Sequence, residues 1–165
     1  MAARGDATAP GDGAVEAIFV GAEAEAVPAP VPEAEVVAGQ GVRGDRYFRG
    51  ASEGTFSKPG KGGQDLTLVE AEAIEHLAGQ GIEIEPAEAR RNVLTRGVDL
   101  NSLVGARFLV GEVECRGDRL CDPCTHLESL TTPGVLRGLV NRGGLRADVT
   151  AGGKIRVGDP VRRLD

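Results

Sequence analysis

Twenty-five glycines interrupt this 165-residue chain so often that few long elements can form in it. They follow no fixed period, which points to tight turns rather than to a repeat. Between them lie short runs rich in Val, Leu, Ile and Thr, at residues 14–20, 65–69, 93–95, 106–110, 112–116, 145–150, 154–157 and 160–164. Each has the length and residue types of a strand. Gly111, Gly152-Gly153 and Gly158-Asp159 supply the turns between the later ones. Many short, closely spaced strands with two or three short helices predict a mainly β fold, its sheet closed or nearly closed into a barrel. Aromatic residues make up only 3% of the chain, so that core must be aliphatic. The length suits one domain and buries enough surface to hold without disulfides.

Helices are expected in two places, with a helical turn at 99–104. Ile74, Leu77 and Ala78 share one helical face, Gly79 and Gly81 would stop the element, and Thr67 and Glu70 have the spacing of a capping box. Pro133 suits the start of a second helix over 133–140. Residues 22–35, with Pro28, Pro30 and Pro32 among acids, read as an extended connection, and the polar, glycine-rich 49–63 as a mobile loop. Residues 1–13 lack apolar periodicity and read as a disordered tail before a domain spanning 14–165.

The formal net charge is -6, but it is unevenly placed. Residues 1–42 hold one basic and seven acidic side chains, whereas residues 43–165 hold 18 of each. No basic patch interleaved with aromatics is present, so nucleic acid is not the expected partner. No apolar stretch reaches the length of a membrane span, and the N-terminus has no charged-then-apolar signal pattern. Three cysteines, an odd number without secretory context, imply reduced thiols and a cytoplasmic location.

Chemistry concentrates in Cys121-Asp122-Pro123-Cys124-Thr125-His126. Asp, Pro and Thr mark this as a turn, where a thiolate can meet a metal or a sulfur donor. Four readings stay open on the residues alone. Cys115, Cys121, Cys124 and His126 match a Cys₃His zinc set, although they are not two spaced pairs. Cys121 and Cys124 have dithiol redox spacing, although no βαβ unit surrounds them. The cysteines could also be buried and inert, as the strand context of Cys115 suggests, or one thiolate could bind a metal cofactor or carry sulfur. The run Arg90-Arg91-Asn92-Val93-Leu94-Thr95-Arg96-Gly97 is a candidate anion cradle or a solvated charged turn. Adjacent arginines diverge on a strand, so a shared ligand requires a turn there. Asp45 and Arg46 follow Gly44, with Asp45 also suited to cap a turn. Arg142 and Arg146 bracket Gly143-Gly144-Leu145 soon after the cysteine loop, and His76 reads as helix surface.

In this order the pieces resemble the MOSC domain, the C-terminal module of molybdenum cofactor sulfurases, which also occurs as small stand-alone bacterial proteins. The matching residues run from Gly39-Gln40-Gly41-Val42-Arg43-Gly44-Asp45-Arg46 through Arg90-Arg91-Asn92-Val93, Leu103-Val104-Gly105-Ala106-Arg107-Phe108 and Gly111. They continue with Pro123-Cys124, Arg142-Gly143-Gly144-Leu145-Arg146-Ala147 and Ile155-Arg156-Val157-Gly158-Asp159-Pro160-Val161. The resemblance implies a β-barrel of the type also seen in pyruvate kinase. It implies that Cys124 accepts sulfur from a pyridoxal-phosphate-dependent cysteine desulfurase or ligates molybdenum. In the latter case the cofactor is a phosphate-bearing pyranopterin, the partner a redox protein and the activity reduction of N-hydroxylated compounds. Arg90, Arg91, Asn92 and Thr95, with Arg142, Arg146, Asp45 and Arg46, would then hold the cofactor. A binding domain without catalysis is the remaining alternative. The longer relatives carry an additional N-terminal β-barrel domain, which residues 1–13 do not supply.

Overall fold

The computed structural model describes residues 13–22, 27–45, 48, 62–121, 131 and 133–164. The tail expected over residues 1–13 lies outside these except for Gly13, which already belongs to a strand. The strands are β1 (Gly13–Val20), β2 (Ala29–Val31), β3 (Glu33–Val37), β4 (Gly41–Val42), β5 (Leu66–Glu70), β6 (Val93–Arg96), β7 (Arg107–Val110), β8 (Val113–Leu120), β9 (Leu145–Ala151), β10 (Gly153–Arg156) and β11 (Pro160–Arg163). Two α-helices, α1 (Ala71–Gly79) and α2 (Val135–Gly138), and two 3₁₀ turns (Pro86–Ala89 and Leu100–Leu103) complete the described elements.

Seven strands close on themselves in the order β1, β11, β7, β8, β9, β5, β6, with β6 returning to β1. The closing pair sets Gly13 opposite Val161 and Ala14 opposite Pro160. Closure removes the unpaired edges that an open sheet would expose. β2 adds to the far end of β1, and β3 pairs with β10 and β4 in a separate three-stranded sheet.

The barrel interior is aliphatic, as the scarcity of aromatics requires. Val15, Ile18, Leu66, Leu68, Val93, Val110, Val113, Leu145, Ala147 and Val161 fill it around Phe108. Val15 and Ile18 both point inward, three residues apart, because a bulge between Val15 and Ala17 shifts the register of β1 on β6. All described barrel pairings are antiparallel except β5–β6. A parallel pair needs a crossover, and α1 lies within it. The helix forms on Ala-Glu-Ala-Ile-Glu-His-Leu-Ala and buries Ala71, Ile74 and Leu77, which packs over Val69 and Leu94 on the outer side of β5 and β6. Those two strands are thus buried on both faces.

Three sequence expectations change. Thr67 does not cap α1: it lies within β5, its hydroxyl bonds Asn92, and Glu70 precedes the helix without a side-chain cap. The stretch 22–35 is not wholly a connection, since β2 and the start of β3 form in it. Pro30 is tolerated because, among the described residues, β2 pairs with β1 alone. The later helix is shorter than 133–140, and Pro133 stands before Gly134, whose φ of 99° is the N-terminal boundary.

Candidate functional site

One row of paired residues crosses four strands: Val93 on β6, Leu68 on β5, Leu145 on β9 and Leu120 on β8. Val93, Leu68 and Leu145 belong to the apolar core and Leu120 is half-buried, so the polar residues on either side of the row set what chemistry is available. Arg91 and Asn92 immediately precede Val93. Cys121 follows Leu120, and Arg142, Gly143 and Gly144 precede Leu145.

The turn 141–144 is where these segments meet. Arg91 Nε donates to Gly143 O at 3.0 Å. The Cys121 amide donates to Gly144 O at 2.7 Å, and Asn101 Nδ2 donates to Asn141 O at 3.0 Å. Gly143 and Gly144 are buried, and Gly144 has φ of 109°. A Cβ at Gly144 would run into the carbonyl of Leu68, so only glycine lets the turn lie so close to β5. Two chain-distant candidates, the arginine run and the entrance to the cysteine loop, are therefore held on consecutive carbonyls.

Arg90 and Arg91 do not lie on a strand. Arg90 ends the 3₁₀ turn in the left-handed region, with φ of 63° and ψ of 33°. The turn that a shared ligand would require is present. Arg91 is half-buried, and its two Nη groups have no partner among the described residues.

Asn92 is committed to the wall. Its Oδ1 accepts from the Thr67 amide and hydroxyl at 3.3 and 3.2 Å. Its Nδ2 donates to Phe19 O at 3.3 Å, and its own amide donates to Thr67 Oγ1 at 3.0 Å. It stitches β1, β5 and β6 together. Thr95 shares the inward face of Val93, is 0% exposed, and donates its hydroxyl to Val69 O at 3.4 Å. As placed, both side chains support the arginines rather than reach outward.

Asp45 follows β4 and accepts the Gly21 amide on Oδ1 at 2.9 Å, while its backbone carbonyl receives the Phe48 amide. It thus ties a turn to the end of β1, beside the Phe19 carbonyl that Asn92 holds. Arg142 is exposed, and its charge acts on Glu70. Glu70 is half-buried at the end of β5 and accepts the Leu100 amide on Oε2 at 2.9 Å. Burial raises its pKa above the usual carboxylate range against the lowering effect of that amide, with Asp99 and Glu72 adding repulsion and Arg142 opposing it. Arg146 is half-buried on the outer face of β9, opposite Thr67 on β5 and Arg119 on β8.

The three cysteines separate. Cys115 faces the barrel core at 0% exposure, and burial pushes its thiol far above the range in which a thiolate forms near neutral pH, with Asp65, Glu114 and Asp148 adding to the rise. A zinc set that includes it would have to reach into that core. Cys121 is 2% exposed. Cys124, Arg46 and His126 lie outside the described residues. Among the described residues no three His, Cys, Asp or Glu side chains gather as metal ligands.

Arg119 was hidden from sequence reasoning, which ended its strand at Arg116. The available signal was Gly117, since an isolated glycine in a strand pattern marks a bulge. β8 continues through that bulge to Leu120.

The MOSC domain pattern matches residues 57–162. No curated protein matches the chain. Among solved structures, the YuaD protein of Bacillus subtilis is similar over 91% of this chain and 94% of its own, at 22% identity and a TM-score of 0.74. YiiM of Geobacillus stearothermophilus is similar over 93% of this chain and 75% of its own, at 14% identity and a TM-score of 0.69. For YiiM of Escherichia coli the values are 92%, 70%, 18% and 0.63. These likenesses are of fold. With the family pattern spanning more than half of the sequence, the closed seven-stranded barrel is that of a chain that belongs to the MOSC domain family.

Proposed function

We propose that this protein binds a molybdenum cofactor beside the 141–144 turn, with Cys124 as the metal ligand, and reduces N-hydroxylated compounds with electrons from a partner protein. The observation that carries the reading is the pair of bonds from Arg91 Nε and the Cys121 amide to the consecutive carbonyls of Gly143 and Gly144. Cys124 is three residues beyond Cys121, a covalent reach of at most about 11 Å. The donor set suits a phosphate-bearing pterin. Arg91 is half-buried, oriented through Nε, and among the described residues nothing takes its two Nη donors, which suits them to a charge-assisted contact. When bound, the cofactor would supply a metal that exchanges electrons and an oxygen atom with substrate. This chain's part is to hold the anionic end with Arg91, with Arg90 and Arg142 adding positive charge. Asn92 and Thr95 keep β6 fixed behind them.

The test is metal and pterin analysis of protein made in a host that synthesises the cofactor. Stoichiometric molybdenum and pterin, lost together in Cys124→Ser, are expected. Protein without either, whose Cys124 gains the mass of one sulfur atom after incubation with a cysteine desulfurase and cysteine, would replace this reading with a persulfide carrier. Neither signal would leave a binding domain without catalysis.

A further inference from the structure

We propose that Arg119 and Arg146 form a binding site for a phosphate-type oxyanion on the outer wall of β8 and β9. Gly117 pairs with Ala147, so an unbroken ladder would set Asp118 opposite Arg146, an attractive pair. The register instead shifts between Gly117 and Arg119, and Arg119 takes the place opposite Arg146. A bulge re-aims side chains in this way. The sheet thereby sets two arginines, rather than an opposite-charge pair, at cross-strand positions, which opposes folding unless an anion offsets the like charges.

The Arg146 guanidinium has no hydrogen-bonding or ionic partner among the described residues although the residue is half-buried. Arg119 uses a single nitrogen: Nη1 donates to Gly62 O at 2.7 Å and contacts Asp118 Oδ2. Its Nε and Nη2 have no partner among the described residues. Gly63 lies against both arginines, and a Cβ there would stand 2.8 Å from Arg119 Nη1 and 3.1 Å from Arg146 Cβ. The nearby carboxylates are engaged, Asp118 with Arg119 and Asp148 with the Gly63 amide at 2.7 Å. Two planar forks with unused donors match a tetrahedral oxyanion.

Arg119 is two residues before Cys121, so the phosphate of a bound cofactor is one source of this anion and free phosphate is the other. The inference deepens the reading above only in the first case, and its test needs no molybdenum. Inorganic phosphate is titrated by NMR into cofactor-free protein at constant ionic strength set with chloride. Saturable shifts at Arg119 and Arg146 are expected, weakened at least tenfold in Arg146→Gln and in Arg119→Gln. Without phosphate, Arg146→Gln should melt no lower than wild type, since it removes a repulsion. Retained phosphate binding in Arg146→Gln, or no binding by the wild type, overturns the proposal. Arg146→Lys, which keeps charge without the fork, should bind between the two. Cofactor-loaded protein that no longer takes inorganic phosphate assigns the anion to the cofactor, and unchanged uptake assigns it to a free phosphate compound. A protein that binds phosphate but holds no molybdenum would refute the proposed function and leave this site standing.

Discussion

Replacing Gly144 with alanine should be the most damaging single-methyl change at the 141–144 turn. Two costs add. At φ of 109° an L side chain is strained, by about 1–3 kcal/mol. The new Cβ would also meet the Leu68 carbonyl, which is backbone of a central strand and cannot rotate away. The turn must move instead, which breaks the Cys121 amide bond to Gly144 O and the Arg91 bond to Gly143 O. Losing the neutral bond costs about 0.5–1.5 kcal/mol and the charged one somewhat more. The total is about 3–7 kcal/mol. Gly105 has φ of 80°, but nothing lies within 4 Å of where its methyl would stand, so Gly105→Ala isolates the strain at about 1–2 kcal/mol. Gly79 has neither feature, and Gly79→Ala should stabilise by about 0.4–1 kcal/mol through the unfolded state. Urea unfolding of the three variants, with slopes matching wild type, measures the ladder directly. Gly144→Ala within about 1 kcal/mol of Gly105→Ala would refute the claim that the turn is pressed onto β5.

Glu70→Gln should change how stability depends on pH. The folded-state pKa of Glu70 is raised, so its contribution favours folding below the unfolded value of about 4.3 and is lost as pH rises through the folded one. The variant should therefore gain on wild type between pH 4 and 7, because the amide oxygen can still accept the Leu100 amide; a shrinking difference over that range counts against this. Cys115 should resist alkylation in native protein at neutral pH, while Cys124 reacts. Labelling of Cys115 that does not await unfolding contradicts its place in the core. Arg91→Ala should weaken cofactor binding roughly ten- to a hundredfold, the equivalent of about 1.5–3 kcal/mol for a charge-assisted contact, with circular dichroism unchanged. Full occupancy at the wild-type affinity would remove Arg91 from the site.

How the chain divides into strands is readable from local residues, because glycine and turn chemistry act over a few positions. The runs at 14–20, 65–69, 106–110, 145–150, 154–157 and 160–164 all become strands at nearly those bounds, and α1 stops at Gly79 as its neighbours dictate. The ordered pieces also carry the family, whose pattern matches residues 57–162. Pairing is a different matter. Nothing near Arg91 in sequence announces Gly143, 52 residues away, and nothing near Cys121 announces Gly144. Those contacts exist because β5 and β6 run parallel while β9 runs against β5, a choice made by barrel closure. The same closure turns Asn92 and Thr95, two polar residues that sequence alone offers as ligands, into fastenings between strands. It also brings Arg119 against Arg146 through a register shift that depends on how two whole strands meet. Residue type and spacing thus settle which elements form and which side chains carry chemistry. Which of those side chains remain free to use it depends on hydrogen bonds between distant strands, and only the folded sheet supplies them.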